Sequence, residues 1–397
     1  MNDISAHSIF ELVIAGDLAP IRAFAPVIQR DPLAVYGDLL PDLRSADCRI
    51  VNLESPLDGE QFIVKSGAAF TGSPEHLAAL TSVPFEVVTL ANNHTFDTGQ
   101  SGFHKTTTLL EKAGIAYVGA GKNRAEAEKA LCIERNNVKI AIFNLSEGED
   151  MLAATDSGFG VAGWDIASLV SRIRAAKESQ LYHAVIAIVH CGLEYYPFPS
   201  YYVYEAFRAI ADAGADLIVG HHPHVPQGRT LFGKTPAFFS LGNFVFYQDT
   251  PLIFRKTGYF LKLKFDPSGL LSTRTVPYRI EANALRHLND KETQDFEKLF
   301  AELSAALATP VAAQAAWEAC LAWYGEEGYH RELEKICSTW ENHPEKAAAM
   351  LRNRVLCMQH QTHWRDGLSR IVNGSIGHAS TELQKLVQAY FTERILP

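Results

Sequence analysis

The stretch at residues 214–228, GADLIVGHHPHVPQG, decides how this chain is read. It opens as a buried strand would, with Leu217, Ile218 and Val219 in succession, then breaks into His221, His222 and His224. Consecutive aliphatic residues bounded by glycine suit a strand covered on both faces, as in parallel α/β sheets. Imidazoles crowded at the end of such a strand have two readings, a polar turn or one wall of a metal site. The other strand ends have to choose between them.

Working outward, the same pattern recurs. The runs ELVIAGD, CRIVNLE, FEVVTLAN, KIAIFNLS, HAVIAIVHCG and PAFFSLGNFVF alternate with the helix-period stretches FHKTTTLLEKAG, WDIASLVSRIRAAKES and VYEAFRAIADAG. Two of these stretches end in glycine, Gly114 and Gly214, where helix C-caps are expected. The Asn136-Asn137 pair reads as a hairpin turn, and Pro267-Ser268-Gly269 as the joint between two antiparallel strands. An α/β architecture follows, with a sheet that is not all parallel. From about residue 285 Val and Ile thin out and Ala, Leu, Glu, Lys and Trp dominate. The expected division is therefore an α/β domain over 1–284 and a helical domain or appendage over 285–397.

Polar residues stand where each apolar run stops: Asp17; Asn52 and Glu54; Asn92, Asn93, His94 and Asp97; His190 with Glu194; the histidine cluster; and Asn243. In open α/β sheets the carboxyl ends of the strands line the ligand crevice. Singly, each residue has a structural explanation as a cap, a turn residue or a satisfied core histidine. Together they form an oxygen and imidazole set without thiolate, which suits Mn, Fe, Zn or Mg over a soft metal. The net charge of -9 argues against a nucleic-acid partner bound through its phosphates. Six scattered cysteines, none in a CxxC pair, suit a reduced compartment. The opening MNDISAHSIFELVIAGD lacks a basic then apolar leader, and no run approaches the ~20 apolar residues of a membrane span. A cytoplasmic protein with no membrane span is expected.

Taken in order, GD, NLES-P-L, LANNH-x-x-D-x-G, HCG-x-E-Y, GAD-x-x-x-G-x-HPHV-x-Q and SLGNF-x-F resemble the bacterial CapA family of capsule and poly-γ-glutamate synthesis proteins. The resemblance spans about residues 9 to 250. It implies a calcineurin-like metallophosphoesterase fold, a four-layer α/β sandwich, here carrying a helical C-terminal extension that the resemblance leaves unexplained. It also implies two divalent cations, Mn, Fe or Zn. Asp17 would ligate the first and Glu54 would bridge both. Asn93, His190 and His222 would hold the second, and His224 would return to the first, with His221 competing with His222 for its place. His94 would be the acid that protonates a leaving group, oriented by Asp97, with Glu194 a similar partner for His190. Phosphoesterases carry Asp-x-His at the first strand, whereas Asp17 is followed by Leu18 and Ala19, so one ligand is missing. Cys191 stands where an aromatic residue is usual and reads as a buried structural thiol.

The function so implied is a metal-dependent hydrolase, in which a metal-bound hydroxide attacks a phosphoester of an anionic small-molecule or polymer substrate. One alternative is an enzyme acting on amide bonds of a γ-glutamyl or other peptide polymer. Another is a non-catalytic accessory protein of polymer biosynthesis, meeting a protein partner through its helical C-terminal region. Lesser features have plainer readings. The tyrosine-rich run 194–207 reads as a lid or aromatic platform at the crevice mouth, and Lys65 as a solvated loop residue. His360 and His363 read as part of an exposed helix face, and Trp317, Trp323 and Trp340 as core.

Overall fold

The computed structural model describes residues 9–395. Its strands are β1 (Phe10–Leu18), β2 (Cys48–Leu53), β3 (Val87–Thr89), β4 (Ala116–Val118), β5 (Ala120–Gly121), β6 (Leu131–Arg135), β7 (Val138–Ser146) and β8 (Gly160–Val161). They continue with β9 (Ala184–His190), β10 (Leu217–His221), β11 (Arg229–Phe232), β12 (Thr235–Phe238), β13 (Thr257–Asp266), β14 (Gly269–Ile280) and β15 (Leu285–His287). Of the two large sheets, the first has the order β15-β14-β13-β1-β2-β3-β4 and the second β11-β12-β10-β9-β7-β6, while β5 and β8 form a separate two-stranded sheet. In the first, β1 to β4 pair parallel out to one edge, with β13, β14 and β15 antiparallel on β1's other side. In the second, parallel pairs fill the middle and antiparallel β11 and β6 form the edges. Asn136 and Asn137, both at positive φ, make the expected turn between β6 and β7.

The continuous apolar runs are explained by which face each residue serves. Along β1, Phe10, Leu12 and Ile14 join a core shared with Ile140, Ile142, Ile186, Ile188 and Val219 of the second sheet. The alternate residues Val13 and Ala15 turn the other way, into a core with helices Phe24–Arg30 and Gly99–Lys112. The second sheet does the same, sending Val185, Ala187 and Val189 against helices Ile166–Glu178 and Tyr201–Asp212. Helices, sheet, sheet, helices: this is the four-layer α/β sandwich. Each fully buried Ile or Leu between the sheets contributes about 1.5–3 kcal/mol, so a charge at Ile188 would disrupt the packing of both.

Strand β15 joins the first sheet, and the helical run begins just after it with Asp290–Ala305, opened by a capping box between Asn289 and Glu292. Helices Pro310–Asn342, Pro344–Leu356, Met358–Val372 and Thr381–Thr392 follow. They pack on the α/β body through a common core in which Leu303, Trp317 and Tyr390 meet Phe198, Val225 and Phe254. Trp317 is core as expected, but Trp323 and Trp340 keep 37% and 48% of their surface exposed. His363 is not on an exposed face either: it is buried among the rings of Trp317, Tyr324 and Tyr329. No single helix among the described residues is long and apolar enough to cross a membrane.

Candidate metal centre

The carboxyl ends of β1, β2 and β3 meet those of β7, β9 and β10 at one seam between the sheets. Register delivers the donors: Asp17 lies opposite Asn52, with Glu54 two residues on, and His221 lies opposite His190. Gly16 lets β1 pass close to the segment that carries Asn243, since a Cβ there would fall 2.1 Å from the Gly242 carbonyl oxygen. The Asp17 N–H then bonds that oxygen at 3.1 Å. His222 and His224 take φ of 98° and 58°, a conformation that costs a non-glycine residue about 1–3 kcal/mol and clusters at functional sites.

All the metal donors anticipated from sequence are buried and come together. Asp17 Oδ2 lies 3.5 Å from His224 Nδ1, and Glu54 Oε1 lies 3.4 Å from His190 Nε2 and 3.7 Å from His224 Nε2. His190 Nε2 is 3.0 Å from both Asn93 Oδ1 and His222 Nδ1. Asp17, Glu54 and His190 form one compact donor group, and Glu54, His222 and His224 another, with Glu54 common to both. His221 turns instead to Asp17, its Nδ1 2.9 Å from Oδ1, and Asn52 donates to the same oxygen at 2.8 Å. At the missing Asp-x-His position, Leu18 and Ala19 are buried apolar residues.

The electrostatics of this cluster are unbalanced. Burial, with the Asp17 and Glu194 charges, drives the Glu54 carboxyl well above the usual carboxylate range against the pull of His224. Burial opposes the charge on Asp17 too, yet hydrogen bonds from His221 and His224 hold its carboxyl well below the usual range. His224 is pushed up to about 10: burial opposes its charge, but Glu54, Asp17 and Glu194 outweigh it. His190 is driven down by burial and by His222. Both Glu54 oxygens, together with His221 Nε2 and His222 Nε2, are buried without a hydrogen-bond partner. Native proteins rarely leave such groups unmatched. An oxygen and imidazole set with orphaned lone pairs is what a divalent cation of borderline hardness takes up.

His94 is built into the adjoining wall. Its Nδ1 lies 2.7 Å from Asp97 Oδ2, and its ring stacks on Phe70 with centroids 4.0 Å apart. Lys65, expected to be solvated, is buried instead: Nζ donates to Asp97 Oδ1 and to the Asn93 carbonyl, each at 2.7 Å. Burial and Lys65 together lower His94 to about 4, against the pull of Asp97. Burial opposes the charge on Glu194, yet His224 and His222 hold its carboxyl below the usual range. A cleft of about 340 Å³ opens here, bordered by His94, His224, Glu194, Tyr195, Arg22 and Arg255. Arg22 lies over the rings of Phe70 and Phe246, and Arg255 lies 3.7 Å from the Tyr195 ring centre. Cys191 is buried, and burial raises its thiol well above the ordinary value.

Sequence reasoning missed Glu149. It follows β7 as the other donors follow their strands, and the acidic run EGED was the available signal. Its Oε2 accepts from Asn93 Nδ2 at 3.1 Å, and its Oε1 meets His360 Nε2 at 3.1 Å. His360 therefore also departs from the exposed face expected of it.

A sequence profile of the bacterial capsule synthesis protein PGA_cap matches residues 11–248. The capsule biosynthesis protein CapA of Bacillus anthracis is 31% identical over 245 residues, covering 60% of this chain and 60% of that protein. The PGA biosynthesis protein CapA of Bacillus subtilis (strain 168) is 32% identical over 226 residues, covering 55% and 58% respectively. The chain thus matches under two thirds of the length of either relative. Among solved structures, the NAD nucleotidase (NadN) of Haemophilus influenzae superposes with a TM-score of 0.41 at 18% identity, covering 74% of this chain and 56% of that one.

Proposed function

The chain belongs to the bacterial capsule synthesis protein family PGA_cap, and we propose that it is a divalent-metal-dependent hydrolase acting on a phosphoester of an anionic substrate. The observation that carries this reading is Glu54, a fully buried carboxylate with neither oxygen hydrogen-bonded, ringed by imidazoles from separate strand ends. Leaving such a group unpaired costs several kcal/mol. Asp17, Glu54 and His224 would hold one cation, and Asn93, His190, His222 and the shared Glu54 a second. His224 lies 3.5 Å from Asp17, and His190 lies 3.0 Å from both Asn93 and His222. The tightest triads cross this division, setting Asp17 with His190 and His222 with His224. Bound there, Mn, Fe or Zn would supply Lewis acidity and a water of lowered pKa. The first position is the weaker, because Leu18 and Ala19 stand where the usual Asp-x-His would supply a further ligand.

The remaining steps fall to the chain's own side chains. Asp97 holds His94 by Nδ1, and Phe70 fixes its ring plane, which leaves Nε2 as the nitrogen that exchanges a proton. An anionic substrate in the cleft favours the imidazolium, the form that donates to a leaving group. Arg22 and Arg255 have no carboxylate partner among the described residues and border the same cleft, so they suit a phosphate or carboxylate of the substrate. A second reading is cleavage of an amide in a γ-glutamyl polymer; the Bacillus subtilis relative is named a PGA biosynthesis protein. The same donors would polarise a carbonyl.

The test is His94→Ala, assayed on phenyl phosphate, whose leaving group needs a proton, and on γ-linked polyglutamate. Turnover should fall at least 100-fold, the scale of lost acid–base assistance, with metal content kept and the chain still folded. Unchanged turnover would remove His94 from the mechanism, and loss confined to the polymer would select the amide reading.

A further inference from the structure

Two C-terminal helices, Pro344–Leu356 and Met358–Val372, set side chains against the loop that leaves β7. That loop is tightly wound: Gly148, Asp150 and Met151 all have positive φ, at 65°, 58° and 65°. Non-glycine residues hold this conformation only where their surroundings enforce it. Here the loop is held by Ser66, Arg352 and the buried Asn353. Asn353 Oδ1 accepts the Asp150 N–H at 3.0 Å, and its Nδ2 donates to Ser66 Oγ at 2.6 Å and to Glu149 Oε1 at 3.1 Å. His360 Nε2 meets the same Glu149 oxygen at 3.1 Å. The other oxygen accepts from Asn93 Nδ2 at 3.1 Å.

An asparagine amide has two ends of nearly equal shape and opposite hydrogen-bonding character, so its orientation is set by the partner at each end. With Nδ2 bonded to Glu149, Oδ1 is the end placed 3.0 Å from His190 Nε2, and oxygen is the end that binds a cation. We infer that Glu149, clamped by Asn353 and His360, is a positioning residue that fixes the flip of Asn93, so that the C-terminal helices complete the metal centre. This rests on Asn93 being a ligand. It gives residues beyond the family-matched stretch 11–248 a defined part in the site. It also makes the two cation positions unequal in their dependence on Glu149: the one that uses Asn93 needs it, and the one framed by Asp17 and His224 does not.

The experiment uses the full chain as wild type, Glu149→Gln, His360→Phe and His360→Gln, stripped of metal and titrated with Zn²⁺ against a chromophoric chelator. Melting of each metal-free protein is recorded alongside. Glu149→Gln should weaken one of the two sites 10–100-fold, the usual scale for groups that orient a ligand, and leave the other unchanged. His360→Phe should weaken the same site by a smaller factor, and His360→Gln, which keeps a donor for Glu149, should restore it. A purely structural role would lower melting without singling out one site. Should Glu149→Gln not fold, the part-buried His360 pair carries the comparison. Wild-type affinities in Glu149→Gln, or in both His360 variants, overturn the inference and leave the metal centre standing. A wild type that binds no Zn²⁺ overturns both.

Discussion

Asp97→Ala should be among the most destabilising single changes in the α/β body. The carboxylate has no exposure, and the Lys65 ammonium bonded to it at 2.7 Å is 2% exposed. Removing it leaves a buried ammonium bonded to the Asn93 carbonyl at 2.7 Å and 3.3 Å from His94 Nδ1, neither of them an anion, and breaking such a pair costs about 3–5 kcal/mol. The Phe70 N–H, which donates to Asp97 Oδ2 at 2.9 Å, also loses its acceptor, for about 1–3 kcal/mol more. The sum, about 4–8 kcal/mol, rivals the whole stability of many domains, at about 5–15 kcal/mol. Replacing both partners, as in Lys65→Met/Asp97→Leu, removes the stranded charge and should recover most of the loss, since apolar replacement of a buried pair is often neutral. Urea unfolding with metals chelated reads this directly, because bound cations would otherwise add their own stabilisation. A single variant within 1 kcal/mol of wild type, or a double variant no better than the single, would mean that the Lys65–Asp97 pair does not hold this wall together. His94 loses its anchor in both proteins, so activity should stay low even where stability returns.

Two further outcomes follow from groups outside the donor cluster. Burial lowers His363 to about 3 in the fold, against about 6.5 in an unfolded chain. The neutral form is thus the one that folds, and its contribution is complete above pH 6.5 and lost on acidification, by about 2 kcal/mol at pH 5. His363→Phe should flatten this slope in urea midpoints taken between pH 5 and 8, and a wild type no more acid-sensitive than the variant would contradict it. Arg255→Gln should raise KM for an anionic phosphoester roughly tenfold, on the scale of one lost charge-assisted contact, with kcat and metal content retained. A fall in kcat at constant KM would place Arg255 elsewhere in the reaction.

What could be read from the sequence was whatever local order encodes. The aliphatic runs gave the sheets, because a strand buried on both faces has no polar positions to interrupt it. The donors at their ends then had to fall on one edge, since parallel strands share a direction. What escaped depends on contacts between distant segments. Lys65 looked like a loop residue because its partner Asp97 lies 32 positions on. Glu149 and His360, 211 positions apart, each had a bland local reading. The three-residue β15 is too short for any periodicity to show. Trp323 and Trp340 lie on a helix whose backbone breaks at Gly325, and the presence of a tryptophan does not say which side of the helix is covered.

The most direct measurement is the metal content of the purified chain, by elemental analysis, for wild type and His222→Ala/His224→Ala. Close to two equivalents of Mn, Fe or Zn are expected per wild-type chain, with the cations lost from the variant and its fold kept. No divalent metal in the wild type, even after reconstitution, would mean that these donors do not form a metal centre.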